Sequence, residues 1–176
     1  DKQVWQSLGF DDLQTIEIIR GIENGVDVSV YCKEEFNAAQ MKALRLGLEE
    51  KLDVSRFADA QYDYMQMEEL KQAVRSGMNM DDICNPKFSH SVMREIRLAS
   101  ELNYDLTRYA KLGYSGEVLR QIRLAKKEEI DLTFFVEDNY DEYQLNEIRL
   151  GIHSCVDITK YLLHEYNWNQ MVQSRL

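Results

Sequence analysis

The sequence has almost no proline and no long apolar run. Pro86 is the only proline among the 176 residues, and it lies in a predicted link between helices, where a helix break is harmless. No stretch approaches the roughly 20 consecutive apolar residues of a membrane-spanning helix. We therefore expect no membrane contact.

Residues that carry catalysis or bind cofactors are also scarce. The sequence lacks the H-E-x-x-H, C-x-x-C and G-x-x-x-x-G-K-[ST] motifs, and no serine or cysteine has a base placed beside it by motif. Its three cysteines look unpaired, which favours a reducing compartment and a cytoplasmic location. We expect a protein that is not an enzyme and that binds no metal or cofactor.

Acidic residues outnumber basic ones. The chain has 21 Lys and Arg against 31 Asp and Glu, which gives a net charge of −10. A net negative charge of this size favours solubility and opposes general attraction to nucleic acid or to an anionic membrane.

An aromatic residue recurs every 26 residues, without insertion or deletion. The members are Phe10, Phe36, Tyr62, Phe88, Tyr114, Tyr140 and Tyr166. A residue that can cap a helix follows each one, and in five copies a Gln three positions later completes a capping box. These are Asp11 with Gln14, Asn37 with Gln40, Asp63 with Gln66, Asp141 with Gln144, and Asn167 with Gln170. The pattern predicts that a helix begins after each aromatic residue.

The following residues predict one amphipathic helix per copy. Apolar residues recur at i, i+3 and i+7, as in Met41, Leu44 and Leu48, so they share one helix face. The first helix is expected over about Asp11–Asn24. A column of small residues that begins with Gly21 is expected to let neighbouring helices approach closely.

A second motif closes each copy. In the first copy it is Asp27, Ser29 and Tyr31, and related residues recur at intervals of 26. We expect a short helix of one to two turns, capped by the Ser or Thr column and packed through the aromatic residue on the long helix. The Asp column offers too few oxygen ligands for a cation site, so turn or capping hydrogen bonds explain it better.

The repeat predicts an α-solenoid in which each unit is a long helix, a turn and a short helix. The boundaries are a half unit 1–9, six units 10–35, 36–61, 62–87, 88–113, 114–139 and 140–165, and a partial unit 166–176. We expect a single array that is a fragment of a longer protein. His90, His153 and His164 share no repeat column, which argues against a common metal site.

The outward face of the predicted long helices carries the functional signal. Four positions in each of six units hold ten basic and six acidic residues, so the rest of the chain must carry a charge of −14. We call the ten basic residues the basic ribbon and expect them to bind a partner. They are Lys42, Arg45, Lys71, Arg75, Arg94, Arg97, Arg120, Arg123, Lys127 and Arg149.

A structural explanation stays open for part of the basic ribbon. Arg or Lys recurs at one position of five successive units, from Arg45 to Arg149, and such residues can pair with the Asp column or with Glu69, Glu95 and Glu147.

Four departures from the repeat suggest local differences. Ile16 and Ile19 occupy positions that are polar elsewhere, so they either pack on an upstream segment or form an apolar contact site. Ser100 and Lys126 replace apolar residues of the inner face. Units 88–113 and 114–139 are therefore expected to be the least stable part of the array.

Three phrases resemble a known repeat family. They are QMKALRLGLEEKLDVSRFA (Gln40–Ala58), VMREIRLASELNYDLTRYA (Val92–Ala110) and QLNEIRLGIHSCVDITKYL (Gln144–Leu162). They are similar to the tandem E-I-R-L-G-L-E-x-G-[LV]-D-[VI]-S-x-Y-A repeats in proteins of conjugative elements and phages of Gram-positive bacteria. The resemblance implies a helical repeat module within a larger polypeptide, with no activity that transfers to a residue.

Two functional hypotheses follow. The first is a protein-interaction module that binds an acidic protein partner through the basic ribbon. The second is nucleic-acid binding through phosphate contacts along the same residues, which predicts a steep salt dependence. The net charge of −10 and the expected lack of stacking aromatic residues beside the arginines weigh against nucleic acid.

Overall fold

The computed structural model describes residues 2–160, 162 and 166–176, and it has no β-strand among them. Tyr161, which occupies the repeat position of Tyr31, and His164 lie outside the described residues. The described part contains ten α-helices: α1 (Lys2–Ser7), α2 (Asp12–Glu23), α3 (Ala38–Glu49), α4 (Tyr64–Arg75), α5 (His90–Ser100), α6 (Thr107–Lys111), α7 (Gly116–Lys127), α8 (Thr133–Glu137), α9 (Glu142–His153) and α10 (Trp168–Arg175). The chain forms two compact units, Asp1–Met93 and Arg94–Leu176.

The long helices begin where the capping boxes predicted. Asp11 accepts a hydrogen bond from the backbone N–H of Gln14 at 2.7 Å, and the Gln14 side chain accepts from the N–H of Asp11 at 2.8 Å. All five predicted boxes are formed. At α7, Ser115 accepts from Val118 without a reciprocal bond, because valine has no acceptor.

The capping glutamines have a second role that the sequence analysis did not anticipate. Four of the five donate from Nε2 to a backbone carbonyl 22 residues later, next to the cap that follows. Gln14 reaches Phe36 O at 2.7 Å, and Gln40 reaches Tyr62 O at 2.6 Å. At the other helix end, Asn24 donates to Glu49 at 2.7 Å. Because the N-termini of α2 and α3 lie side by side, and so do their C-termini, the two helices run parallel.

The long helices end in a left-handed residue. The residue that ends each of six long helices stands at the same repeat position and has a positive φ, although only two of the six are glycine. These residues are Gly25, Lys51, Gly77, Asn103, Glu129 and Cys155. The N–H that follows bonds back five residues, as from Val26 to Gly21 O at 3.0 Å, which forms a Schellman motif.

The inner face of the long helices is buried as expected. Ile18, Leu44 and Leu70 are fully buried in the unit Asp1–Met93, as are Leu119 and Ile148 in the unit Arg94–Leu176. Burying one such side chain stabilises a fold by about 1.5–3 kcal/mol. The helices of each compact unit therefore share an apolar core.

The short segments differ from the prediction in form and in cap. Only α6 and α8 are α-helical, whereas Val28–Val30 and Met80–Asp82 form single 3₁₀ turns. The cap is the Asp column and not the Ser or Thr column: Asp27 Oδ1 accepts from the N–H of Ser29 at 3.0 Å. The same backbone bond occurs in six copies, one of them at Asn79. In the other five the pKa of the aspartate is lowered, first by the side-chain hydrogen bond of the Ser or Thr two residues later and then by this backbone bond.

The column of small residues accommodates the short segment of the same copy. A Cβ added at Gly21 would lie 1.8 Å from the hydroxyl of Tyr31, which is fully buried and donates to Glu17 O at 3.0 Å. Gly47 has both Val54 of its own copy and Lys71 of the next helix nearby, with Val54 the closer. The predicted close approach therefore involves the short segment first and the neighbouring helix second.

Candidate functional site

Arg45, a member of the basic ribbon, lies in the interior of the unit Asp1–Met93. Its Nε donates to Glu17 at 2.8 Å and its Nη1 to Glu49 at 2.5 Å. Burial opposes the guanidinium charge, but the hydrogen bonds that Arg45 donates to Glu17 and Glu49 outweigh it and raise the pKa of Arg45. The charge of Arg45 is thus neutralised within the fold.

The same pairing recurs 28 residues apart in the unit Arg94–Leu176. Arg123 donates to Glu95 at 2.6 Å, and Arg175 donates to Glu147 at 2.8 Å. Glu95 and Glu147 are two of the acids that the structural explanation named. This explanation accounts for Arg123 without any partner molecule.

Two copies change the pairing where the glutamate is missing. Ala43 stands 28 residues before Lys71, and the buried ammonium of Lys71 instead contacts Glu68 at 2.7 Å. Gln121 stands 28 residues before Arg149, whose Nε donates to Gln121 at 3.2 Å and whose Nη1 donates to Glu128 at 2.6 Å. Where the glutamate 28 residues earlier is missing, the basic residue therefore pairs with a different glutamate.

The expectation of ten outward basic residues needs correction. Arg45, Lys71 and Arg149 are buried, because their aliphatic stems pack between helices while their charges meet interior or rim carboxylates. Arg75 pairs with Glu50 at 2.5 Å. Arg97 pairs with Glu101 at 3.3 Å. The members whose ion pairs have been located are Arg45, Lys71, Arg75, Arg97, Arg123 and Arg149.

The remaining members lie at the surface. Arg94, Lys42, Arg120 and Lys127 are exposed. No ion pair within the described residues involves Lys42, Arg120 or Lys127. Arg120 and Lys127 lie on the same helix, α7, seven residues apart and thus on one face. They are two exposed positive charges of α7 that a partner molecule can neutralise.

A groove separates the first turns of α7 and α9 beside Arg120. It has a volume of about 190 Å³ and is lined by Glu117, Arg120, Gln121, Glu142, Tyr143 and Asn146. Arg149 donates to two of these lining side chains, to Gln121 at 3.2 Å and to Asn146 at 3.0 Å. The buried arginine thereby fixes the orientation of two amides that line the groove.

Two exposed aromatic side chains continue this surface from α9 to α10. Tyr143 is 57% exposed and Trp168 is 44% exposed, with ring centroids 6.0 Å apart and planes inclined by 33°. The prediction that aromatic residues are absent beside the arginines is wrong for Arg120, because Tyr143 lines the same groove. The sequence contained a signal for this surface, because Tyr143 is aromatic at a repeat position where two other copies have Leu13 and Met65.

A larger cavity of about 370 Å³ lies near the end of α7. It is lined by Tyr104, Ile122, Lys126, Glu129, Ile130, Asp131, Leu132 and Thr133. The ammonium of Lys126 lies 5.2 Å from the centroid of the Tyr104 ring. This cation–π contact shows how Lys126 is accommodated at a position that is apolar in other copies.

The cysteines and acidic residues form no metal centre in the part of the chain that the structure describes. Cys32, Cys84 and Cys155 are all free thiols, and burial raises the pKa of Cys32 and of Cys84. No α-helix within the described ranges is both long and apolar enough to cross a membrane.

Comparisons with protein-family models, with curated proteins and with solved structures gave no match.

Proposed function

We propose that the chain is a non-enzymatic helical-repeat module, an α-solenoid, that binds an acidic protein partner through the exposed side of α7. The observation that carries this proposal is the contrast between paired and unpaired basic residues. Arg123 is neutralised by Glu95, whereas Arg120 and Lys127 on the same helix are exposed and form no ion pair with described residues. An acidic partner supplies the charges that this surface lacks.

The repeated contacts support the solenoid part of the proposal. Gln14, Gln40, Gln66 and Gln144 each bond a carbonyl 22 residues later, and three Arg–Glu pairs span 28 residues. Contacts at a constant separation are typical of arrays in which each repeat packs on the next. Such arrays commonly present one helix face to a protein partner.

Nucleic-acid binding is the second candidate, and one observation favours it. Tyr143 and Trp168 provide ring faces near Arg120, and exposed aromatic rings beside a cation can stack on unpaired bases. Glu117 and Glu142 line the same groove and repel phosphate. These carboxylates and the net charge of −10 oppose a chain with a phosphate at every position more strongly than a protein segment with a few carboxylates, which is therefore the better partner.

Fluorescence anisotropy separates the two candidates. The probes are a labelled peptide that carries a few widely spaced Glu and Asp residues, a single-stranded DNA, an RNA and a duplex, each at about 50 mM salt, where phosphate contacts are strong. We expect the acidic peptide to bind and the double variant Arg120→Gln/Lys127→Gln to weaken it. Lys42→Gln is the matched control, because Lys42 occupies the repeat position of Arg120 on α3.

Binding of the nucleic acids in place of the peptide would support the second candidate. Absence of binding to all four probes would refute both.

A further inference from the structure

The groove beside Arg120 has features that the proposed function does not use. It lies between the first turns of α7 and α9, and its volume of about 190 Å³ is below the roughly 300–1,000 Å³ typical of small-molecule sites. A groove of this size accepts one or two side chains of a longer ligand. The exposed rings of Tyr143 and Trp168 extend it across α9 to α10.

We propose that this groove binds an extended segment of the partner protein, which presents a carboxylate to Arg120 and a proline or aromatic ring to Tyr143 and Trp168. The inference rests on the proposed function, because it names the part of an acidic partner that enters the site. Arg120 selects the carboxylate, since a guanidinium binds carboxylates through directional, charge-assisted hydrogen bonds. Arg120 forms no ion pair with a described residue, although Glu117 and Glu142 line the same groove.

The aromatic pair selects the ring. Tyr143 and Trp168 are large side chains that remain about half exposed, whereas the aromatic residues that lead the repeats, such as Tyr140, are buried. Exposed Tyr and Trp are the residues that most often dominate binding energy at interfaces. They also line the grooves that recognise proline-rich segments, where ring packing supplies affinity with little loss of chain entropy.

The remaining lining side chains suit an extended backbone. Arg149 occupies the side-chain oxygens of Gln121 and Asn146, which leaves the Gln121 amide N–H groups to donate to peptide carbonyls. Glu117 and Glu142 are acceptors for peptide N–H groups. These two carboxylates also disfavour a ligand whose negative charges recur at every position, so a single carboxylate next to a ring fits best.

Matched variants test the proposal against the other unit of the chain. Tyr143→Ser, Trp168→Ser and Arg120→Gln each remove one exposed group, so the fold is expected to remain intact. The controls Met65→Ser, Tyr64→Ser and Lys42→Gln lie at the same repeat positions on α4 and α3, and they are exposed to a comparable extent. Circular dichroism and thermal unfolding confirm that each variant is folded.

The probe is a phage-displayed library of random linear peptides, selected on the whole chain. We expect enriched peptides that carry Asp or Glu within a few residues of Pro, Trp, Tyr or Phe. Each site variant should weaken their binding by at least about tenfold, and each control by less than about twofold.

The possible outcomes separate the two proposals. Enriched acidic peptides whose affinity is unchanged in Tyr143→Ser and Trp168→Ser would overturn the groove assignment and leave the acidic partner intact. Enrichment of basic peptides, or of none, would overturn both. If sedimentation showed that the chain associates with itself and the site variants abolished that association, the occupant would be a second copy and the proposed partner segment would be wrong.

Discussion

Arg45 and Glu17 join α2 to α3 through a 2.8 Å ion pair in which both side chains are less than one-tenth exposed. A charge in such a place is tolerated only when a partner and hydrogen bonds replace water. Arg45 meets this condition through Glu17 and Glu49 together. The pair therefore links consecutive copies of the repeat and at the same time removes Arg45 from the surface.

Loss of the buried pair should be costly. We expect Glu17→Ala to lower the free energy of unfolding by about 3–5 kcal/mol, because the guanidinium of Arg45 is left partly uncompensated in the interior. Urea unfolding monitored by circular dichroism measures the change. The control is Glu50→Ala, which breaks the more exposed pair with Arg75 and should cost less than about 1 kcal/mol. Equal effects of the two substitutions would contradict the assignment of Arg45 to the interior.

The second prediction concerns the contribution of the capping glutamines to stability. Gln40 donates to Tyr62 O at 2.6 Å, and Val118 occupies the corresponding place in α7. We expect Gln40→Val to destabilise the fold by about 1–3 kcal/mol, since it leaves a buried carbonyl without its donor. Val118→Gln should restore the missing capping box and stabilise the unit Arg94–Leu176.

Hydrogen exchange monitors the second substitution directly. Amide protection of α7 and of the following residues should increase in Val118→Gln. This experiment also tests the prediction that units 88–113 and 114–139 are the least stable part of the array. If these units were the best protected in the unmodified chain, that prediction would be wrong.

Substitutions at the left-handed residues that end the long helices should change the free energy of unfolding in opposite directions. Lys51 and Glu129 adopt φ values of 60° and 61°, where a side chain is strained, whereas glycine is not. Lys51→Gly and Glu129→Gly should each raise the free energy of unfolding by about 0.5–1 kcal/mol. Gly25→Ala should lower it by a similar amount, because Gly25 has a φ of 70°. Thermal denaturation of the three variants measures both signs, and a loss of stability in Lys51→Gly would count against the strain argument.

The aspartate caps predict acid sensitivity. Hydrogen bonds from Thr107 and Thr133 lower the pKa of Asp105 and of Asp131 below the usual value of 3.8. Their contribution to stability is therefore complete above the pKa of the unfolded chain, and it is lost as the pH falls through the lower pKa of the folded state. Asn79 forms the same bond without titrating.

The double variant Asp105→Asn/Asp131→Asn uses this natural precedent. Its stability should fall less steeply than that of the unmodified chain as the pH is lowered from about 5 to about 2. Urea midpoints at each pH provide the comparison. Identical pH profiles would show that these caps do not contribute to acid unfolding.

Local features of the fold could be predicted from the sequence, and contacts between helices could not. Asp11 with Gln14 predicted a helix start because a capping box is formed within four residues. The burial of Arg45 depends on which residue of the preceding helix faces it. A helical wheel gives the angular position of Arg45 on α3, but it does not give the offset of 28 residues that brings Glu17 beside it.

The candidate groove was missed for a related reason. Tyr143 belongs to α9 and Trp168 to α10, so their proximity arises only after the helices pack. Arg120 was among the predicted binding residues, and the sequence separated it from Arg123 only in that Arg123 belongs to the recurring column for which a structural pairing stayed open. The distinction lies in Glu95, which pairs with Arg123 from the preceding long helix.

The ion pairs between residues 28 positions apart determine which copies of the repeat could be deleted without loss of a buried pair. Unequal recombination that removed residues 114–139 would place Glu95 opposite Arg149, which restores the Glu–Arg pair that Gln121 lacks. Removal of residues 36–61 would place Glu17 opposite Lys71, again with opposite charges. Loss of either of these two copies as a whole period would thus keep a buried cation opposite a carboxylate, whereas loss of residues 140–165 would leave Arg175 opposite Gln121.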